Sequence, residues 1–302
     1  MNILISGSSG FIGSALTAGL EQAGHAVVRM VRSGPTGAPA VFWNPPAEQI
    51  DGRALGMHSL DAVVHLAGEN IVGRWTPAKR AAIRESRVVG TRLLCTTVAT
   101  IPRPPRVLLT ASATGYYGDR GDELLTEASR PGKGFLADVC RDWEQATEPA
   151  ERVGIRVVHM RLGAVLSPEG GVLARLRQVF RLGLGGRLGS GRQWVSWVAL
   201  ADVLGAVEHL LAHEELRGPV NVVAPQPLSN REFTQTLARV MHRPAVLPVP
   251  RWVLRLAYGQ AADETLLASA RVLPEALTRS GYAFQFPTLE PALAHWRQAG
   301  RL

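Results

Sequence analysis

The sequence predicts an α/β fold, a doubly wound parallel sheet with a smaller, mostly helical C-terminal lobe. Three observations carry this expectation. An apolar run at residues 2–6 empties into a glycine turn and then a helical pattern. Short apolar segments, at 25–31, 61–66, 106–110 and 156–160, then alternate with helical stretches. Beyond residue 230 helices dominate. Strand-helix alternation buries a parallel sheet between two helical layers, and the right-handed crossover rule leaves few other topologies.

The first turn is the most informative element. Residues 7–13 read Gly7-Ser8-Ser9-Gly10-Phe11-Ile12-Gly13. Gly7 permits a tight turn, Gly10 carries no side chain to block a pyrophosphate, and Gly13 lets the helix approach the sheet. The free N–H groups at Ser9, Gly10, Phe11, Ile12 and Gly13 then face phosphates. This strand-turn-helix unit predicts a Rossmann-type dinucleotide site. Helix one is expected over 11–23, stopped by Gly24, and strand two over 25–31. An NAD site usually carries an acid near the end of that strand. Here the chain reads Val28-Arg29-Met30-Val31-Arg32-Ser33. An arginine fork beside a hydroxyl suits a 2′-phosphate. NADP (NADPH) is therefore the expected cofactor and NAD the less favoured one. Arg32 and Ser33 are the expected contacts, with Arg29 as the alternative if the strand ends early.

Composition bounds the rest. A chain of 302 residues can bury a large core, and 46% hydrophobic with 19% charged residues fits a globular protein. The net charge of +8 favours anionic small molecules. It is spread along the chain without a basic block or an aromatic-interleaved basic strip, so no nucleic-acid partner is expected. Cys95 and Cys140 form neither a metal-like pair nor a redox motif, which makes a reducing, cytoplasmic setting the default. The first apolar stretch lacks the pattern of an export signal, and no run of 18 apolar residues predicts a membrane span. Monomer and homodimer stay open.

Further along, Asp61 to Gly68 reads as a buried strand ending in small residues. Leu66, Ala67 and Gly68 at its carboxyl end are expected beside the cofactor, where ligands of such sheets sit. Pro77 starts a helix that runs to about residue 98. The strand at 106–110 empties into Ala111-Ser112-Ala113-Thr114-Gly115-Tyr116-Tyr117-Gly118, a polar and aromatic cluster where chemistry is expected. A long helix follows over 135–152. Further helices are expected over 171–182, 202–213, 230–241, 250–258 and 288–298, with a strand at 220–223 between them. Ser229 and Glu232 have capping-box spacing. The glycine-rich segment 183–191 follows no strand and reads as a flexible loop over a site. These elements divide the chain into a dinucleotide-binding core at 1–165, mixed substrate-side and returning Rossmann segments at 166–245, and a small C-terminal domain at 246–302.

Together the motifs resemble the extended short-chain dehydrogenase/reductase superfamily, and more closely its atypical epimerase-family, or sugar-nucleotide-epimerase-like, branch. The matching stretches are residues 7–13, His65 to Gly68, Ser86 to Thr91, Ser112 to Gly118, Phe135 to Glu144 and Gly183 to Trp197. The tail, with Pro274-Glu275 and Gly281-Tyr282-Ala283-Phe284, is similar to that branch's C-terminal domain of unknown function. The resemblance implies an NADP-binding oxidoreductase or epimerase-like protein acting on a small hydroxyl or carbonyl compound, with sugar nucleotides among the candidates. Superfamily enzymes use a Ser or Thr, a Tyr that exchanges a proton, and a Lys four residues later that supplies positive charge and binds the nicotinamide ribose. Ser112 matches the serine. In the helix where the pair belongs, Leu136 stands in the Tyr place and Cys140 in the Lys place. Ala199 also stands where the branch commonly has histidine.

Two readings remain. In the first, Ser112 with Tyr116 or Tyr117 serves catalysis. A phenol needs a nearby positive group to work near neutrality, and Arg120, Arg161 or the nicotinamide itself are the candidates. The same tyrosines otherwise serve as aromatic walls. An open polar pocket is expected, with Ser112 on its wall. In the second, the missing pair marks a non-catalytic dinucleotide-responsive sensor or interaction protein. Cys140 and His65 read as packing or structural residues, and no carboxylate-histidine cluster suggests a metal.

Overall fold

The computed structural model describes residues 1–32 and 39–302. Its main sheet is built from β1 (Asn2–Ser6), β2 (Ala26–Val31), β3 (Ala40–Asn44), β4 (Gln49–Ile50), β5 (Ala62–His65), β6 (Val107–Ala113), β7 (Arg156–Leu162) and β8 (Gly218–Val222). The spatial order is β8-β7-β6-β5-β1-β2-β3-β4. Every neighbouring pair is parallel except β3 with β4. The chain winds outward from β1 and then crosses back to lay β5 on β1's other side. The order therefore reverses between β1 and β5, the crevice where open α/β sheets bind ligands.

Alternation along each strand feeds two cores. Ile3, Ile5, Val64 and Leu109 face the Phe11–Gln22 and Leu200–Ala212 helices through Leu16, Leu20, Val203 and Val207. Leu4, Val63 and Leu108 face the opposite layer, where Leu94 and Val98 of the Pro77–Thr100 helix pack with Ala150. Each fully buried aliphatic side chain contributes about 1.5–3 kcal/mol, which explains why near-continuous apolar runs become central strands. Pro77 stands at the start of its helix as expected. Thr76 caps that helix, its Oγ1 accepting from the Lys79 N–H at 3.2 Å.

One expected helix is broken. The 135–152 stretch divides into Phe135–Gln145 and Glu148–Arg152. Pro149 has no N–H to give to the Gln145 carbonyl, and its ring crowds that carbonyl. The short helix Gly52–Met57 was not foreseen. The C-terminal region is largely helical, with Arg251–Tyr258, Glu275–Arg279 and Leu289–Gln298. It is tied to the core through buried Asp202, whose carboxylate accepts from the Gln285 N–H at 2.6 Å and the Phe286 N–H at 3.0 Å. The Tyr282 hydroxyl donates to the Asp202 carbonyl at 3.0 Å. Ser229 and Glu232 form the expected capping box, both legs present.

The 183–191 segment is not a free loop. Gly189 donates its N–H to the Val249 carbonyl at 2.8 Å, and Val249 returns one to the Arg187 carbonyl at 2.9 Å. A Cβ on Gly186 would lie 1.6 Å from the Leu247 carbonyl oxygen. Gly186 here serves close packing on the Leu247 backbone, while Gly185 and Gly189 make room for the Phe180, Arg251 and Leu267 side chains. Among the described residues no helix is long and apolar enough to cross a membrane.

Candidate dinucleotide crevice and polar cluster

The glycine turn closes on the end of β5. Gly7 has φ +70°, a conformation that favours glycine, and a Cβ there would meet the Ala67 nitrogen at 2.9 Å. A Cβ on Gly13 would stand 2.0 Å from the Gly7 carbonyl oxygen. The turn and the helix start are thus pressed together backbone to backbone. Ser9 and Gly10 remain exposed, and Phe11 lies over Gly170 and Gly171. The Phe11–Gln22 helix has no side-chain cap and no acid in its first turn. Its N–H groups and positive dipole end are left for an anionic group, a cradle of the kind a pyrophosphate fits. Leu66 and Ala67 are brought beside Gly7, and both donate their N–H to Ser6 Oγ at 3.1 and 3.2 Å. Arg32 is exposed at the end of β2, and Ser33 lies outside the described residues.

Below this turn a buried polar chain fixes the crevice floor. Ser6 Oγ accepts the two N–H groups and lies 2.6 Å from His65 Nδ1. Its own proton therefore points to Nδ1, and His65 carries its hydrogen on Nε2, 3.0 Å from Thr91 Oγ1. Trp143 Nε1 also donates to Thr91 Oγ1 at 2.8 Å. Burial pushes the His65 pKa down to about 4, so the ring is neutral in the fold. The unfolded chain, with an ordinary histidine, takes up a proton at higher pH. His65 thus contributes stability in full above about pH 6.5 and loses it as the pH falls toward 4. That loss amounts to roughly 3 kcal/mol. Unfolding by denaturant at pH 7.5 and pH 4.5 should show it, and His65→Gln should flatten the dependence. Equal pH slopes for the two proteins would refute the assignment.

A second cluster lies at the carboxyl ends of β6, β7 and β8. Strand register puts Ser112 opposite Arg161 and Arg161 opposite Asn221. The Phe135–Gln145 helix delivers Glu144 onto this row. Arg161 Nε and Nη2 each donate to the Glu144 carboxylate at 2.8 Å, and Ser112 Oγ donates to it at 2.7 Å. Burial works against the Arg161 charge, but Glu144 more than offsets it, and the guanidinium pKa is raised. Arg161 Nη1 donates to the Tyr117 hydroxyl at 3.0 Å, while that hydroxyl donates to Asn221 Oδ1 at 2.7 Å. The Tyr116 ring lies under the guanidinium, 3.5 Å from Cζ to the ring centre.

These contacts sort the expected residues. Tyr117 is fully enclosed and its phenol is pushed up to about 12, chiefly by burial. It braces Arg161 and has no path to a substrate. Tyr116 is half-buried, with Arg161 as the neighbouring cation; Arg120 is instead paired with Glu123. Ser112 is 2% exposed, so the open pocket expected on its wall is not formed. A groove of about 450 Å³ lies elsewhere, lined by Leu124, Trp194, Gln226, Glu232 and Arg271 among others. Burial pushes the Cys140 thiol up to about 12, consistent with packing. Glu144 and Asn221 were missed in sequence. The available signal for Glu144 was an acid one turn beyond the Lys place, which must find a cation if it faces inward.

A glycine-cradled crevice at the switch point, a polar cluster two strands away and an appended helical tail define an extended short-chain dehydrogenase/reductase. The chain belongs to the NAD dependent epimerase/dehydratase family, which matches residues 3–223, and its residues 249–296 match a domain of unknown function, DUF1731. It is 45% identical over 294 residues to an epimerase family protein of Mycobacterium bovis, covering 97% of this chain and 96% of that one. It is similar in structure to the human epimerase family protein SDR39U1 (isoform 2) solved with NADPH, at TM-score 0.87 and 32% identity over 98% of each chain. It also resembles a nucleoside-diphosphate sugar epimerase of Corynebacterium glutamicum at TM-score 0.82 and 38% identity, covering 98% of this chain and 57% of that longer one.

The expected preference for NADP over NAD is corrected by these comparisons. Similar folds captured with NAD include a UDP-glucose 4-epimerase of Thermus thermophilus, at TM-score 0.76 and 20% identity, and three other structures. The physical reason is that selectivity is a difference of affinities. An exposed arginine at the end of β2 adds attraction for a phosphate without opposing a free ribose hydroxyl. Arg32 therefore does not make NAD the lesser cofactor.

Proposed function

We propose that this chain is an NAD(P)-dependent oxidoreductase or epimerase-type enzyme acting on a small hydroxyl or carbonyl compound, with a sugar nucleotide as the favoured class. The observation that carries the reading is the glycine cradle on the same sheet edge as the Tyr116–Arg161–Glu144–Ser112 cluster. The names of the human and Corynebacterium proteins support it. Gly7, Ser9, Gly10, Phe11, Ile12 and Gly13 would hold the pyrophosphate, with Leu66, Ala67 and Gly68 along the crevice and Arg32 near the adenosine ribose. When bound, the nicotinamide accepts or returns a hydride.

The chain's own residues then have distinct tasks. Tyr116 exchanges a proton with the substrate oxygen, because it is the partly exposed phenol of the cluster. Arg161 sets a fixed positive charge against its ring. Glu144 and Tyr117 hold that guanidinium in place, and Ser112 orients Glu144 by donating to it. Leu136 and Cys140 need no role in proton transfer under this arrangement.

A calorimetric titration with NADH and NADPH tests the cofactor half of the reading. Binding of at least one is expected, and absence of both at millimolar concentration would sink it. Tyr116→Phe should lower kcat on an identified substrate by about 100-fold or more with dinucleotide affinity unchanged. Unaltered turnover would remove Tyr116 from the chemistry. The enclosure of Ser112 favours a second reading, a dinucleotide-responsive protein without turnover. In that case a binding partner gained or lost with NADH would appear in pull-downs while no substrate is converted.

A further inference from the structure

The helix of Leu136 and Cys140 carries no cation at those positions, and a neighbouring helix brings an arginine close to it. Arg87, on Pro77–Thr100, lays its guanidinium against Gly68 at the end of β5. A Cβ built on Gly68 would stand 3.2 Å from Arg87 Cζ and 3.4 Å from each terminal nitrogen. Gly68 is thus the hollow that admits this group. The same guanidinium lies 5.0 Å from the ring centre of Trp143, one turn beyond Cys140, and its charge is felt at the Cys140 thiol.

Arg87 is also short of partners. Its Nη1 donates to the Glu69 carbonyl at 2.9 Å and to the Ile83 carbonyl at 3.2 Å. Among the described residues Arg87 enters no ion pair and its Nε and Nη2 make no hydrogen bond. The carboxylate of Glu69 is taken by Lys79. Burial lowers the Arg87 pKa from its ordinary value. A half-buried guanidinium, partly withdrawn from water and without a carboxylate partner, is a group that a polar or anionic ligand satisfies.

Its position selects the part of the ligand. A dinucleotide crosses the sheet at the switch point, with its pyrophosphate over the β1 turn and its adenosine ribose toward the end of β2. The other half must then extend over β5 and β6, where Gly68 and Arg87 stand. We propose that Arg87 binds the nicotinamide half of the dinucleotide and supplies there the fixed positive charge that Cys140 cannot.

The proposal rests on the dinucleotide reading above, and one set of titrations separates the two. The full chain and its Arg87→Gln and Arg87→Lys variants are titrated calorimetrically with NADH, NADPH and ADP, the last carrying both phosphates but no nicotinamide ribose. Arg87→Gln is expected to weaken the intact dinucleotide about ten- to hundredfold while ADP binds as to the wild type. Arg87→Lys should recover part of the loss, since it keeps the charge without the fork. Unchanged ADP affinity also certifies that the variants are folded. A wild type that binds neither dinucleotide overturns the function reading and this proposal with it. A wild type that binds, with Arg87→Gln binding equally well or losing ADP to the same extent, overturns the Arg87 assignment alone.

Discussion

Replacing Glu144 by alanine is expected to destabilise the fold by about 3–5 kcal/mol, the range for leaving one member of a buried ion pair alone. Arg161 and Glu144 have side chains only 3% and 11% exposed. Without the carboxylate, the guanidinium keeps its Tyr117 contact but loses both charge-assisted bonds, and Ser112 loses its acceptor. Equilibrium urea unfolding at neutral pH measures the loss. Glu144→Gln should fall between alanine and the wild type, because an amide oxygen still accepts one bond. The paired replacement Glu144→Leu with Arg161→Met should recover much of the stability, since the cost lies in the unpaired charge more than in the missing attraction. A loss below about 1 kcal/mol for Glu144→Ala would mean that water reaches Arg161, contrary to its burial.

Gly13→Ala is expected to be the most damaging small substitution in the dinucleotide crevice. Its new Cβ would lie 2.0 Å from the Gly7 carbonyl oxygen and 2.8 Å from the Gly7 carbonyl carbon. Both are backbone atoms, so either the turn or the helix must move. Overpacking of this kind costs about 1–3 kcal/mol. If the turn moves, the phosphate cradle opens and dinucleotide affinity falls by roughly ten- to hundredfold. Gly10→Ala is the control, because its Cβ meets only the Gly7 oxygen at 3.2 Å. It should disturb folding less. Calorimetric titration with NADH and thermal unfolding of both variants check the contrast. A Gly13→Ala protein that binds as tightly as wild type would show that the turn is not the pyrophosphate site.

The strands and the first crevice were legible because local chemistry specifies them. Ile3, Leu4 and Ile5 form an apolar run that only a buried strand accommodates, and the glycines at 7, 10 and 13 have few roles beyond a tight βα turn. The helix start at Pro77 and the capping box at Ser229 and Glu232 were likewise local. The break before Pro149 is also a local matter, since its missing N–H ends the Phe135–Gln145 helix. The reading of 183–191 failed for a different reason. Glycines signal either freedom or close approach, and only the Leu247 backbone beside Gly186 decides between them.

By itself, then, the sequence determined the doubly wound sheet, the tight glycine turn after its first strand, and the leucine and cysteine at positions 136 and 140. Each follows from residues adjacent in the chain. The cofactor preference drawn from Arg32 did not survive, because selectivity depends on what a site rejects as well as on what one exposed side chain attracts. Tertiary structure alone decided which polar groups meet. Register across β6, β7 and β8 aligned Ser112, Arg161 and Asn221, helix packing brought in Glu144, and a neighbouring helix set Arg87 into the hollow at Gly68. These partners come from separate elements of the chain, and a charge's partner is chosen by proximity in space, which local pattern does not encode.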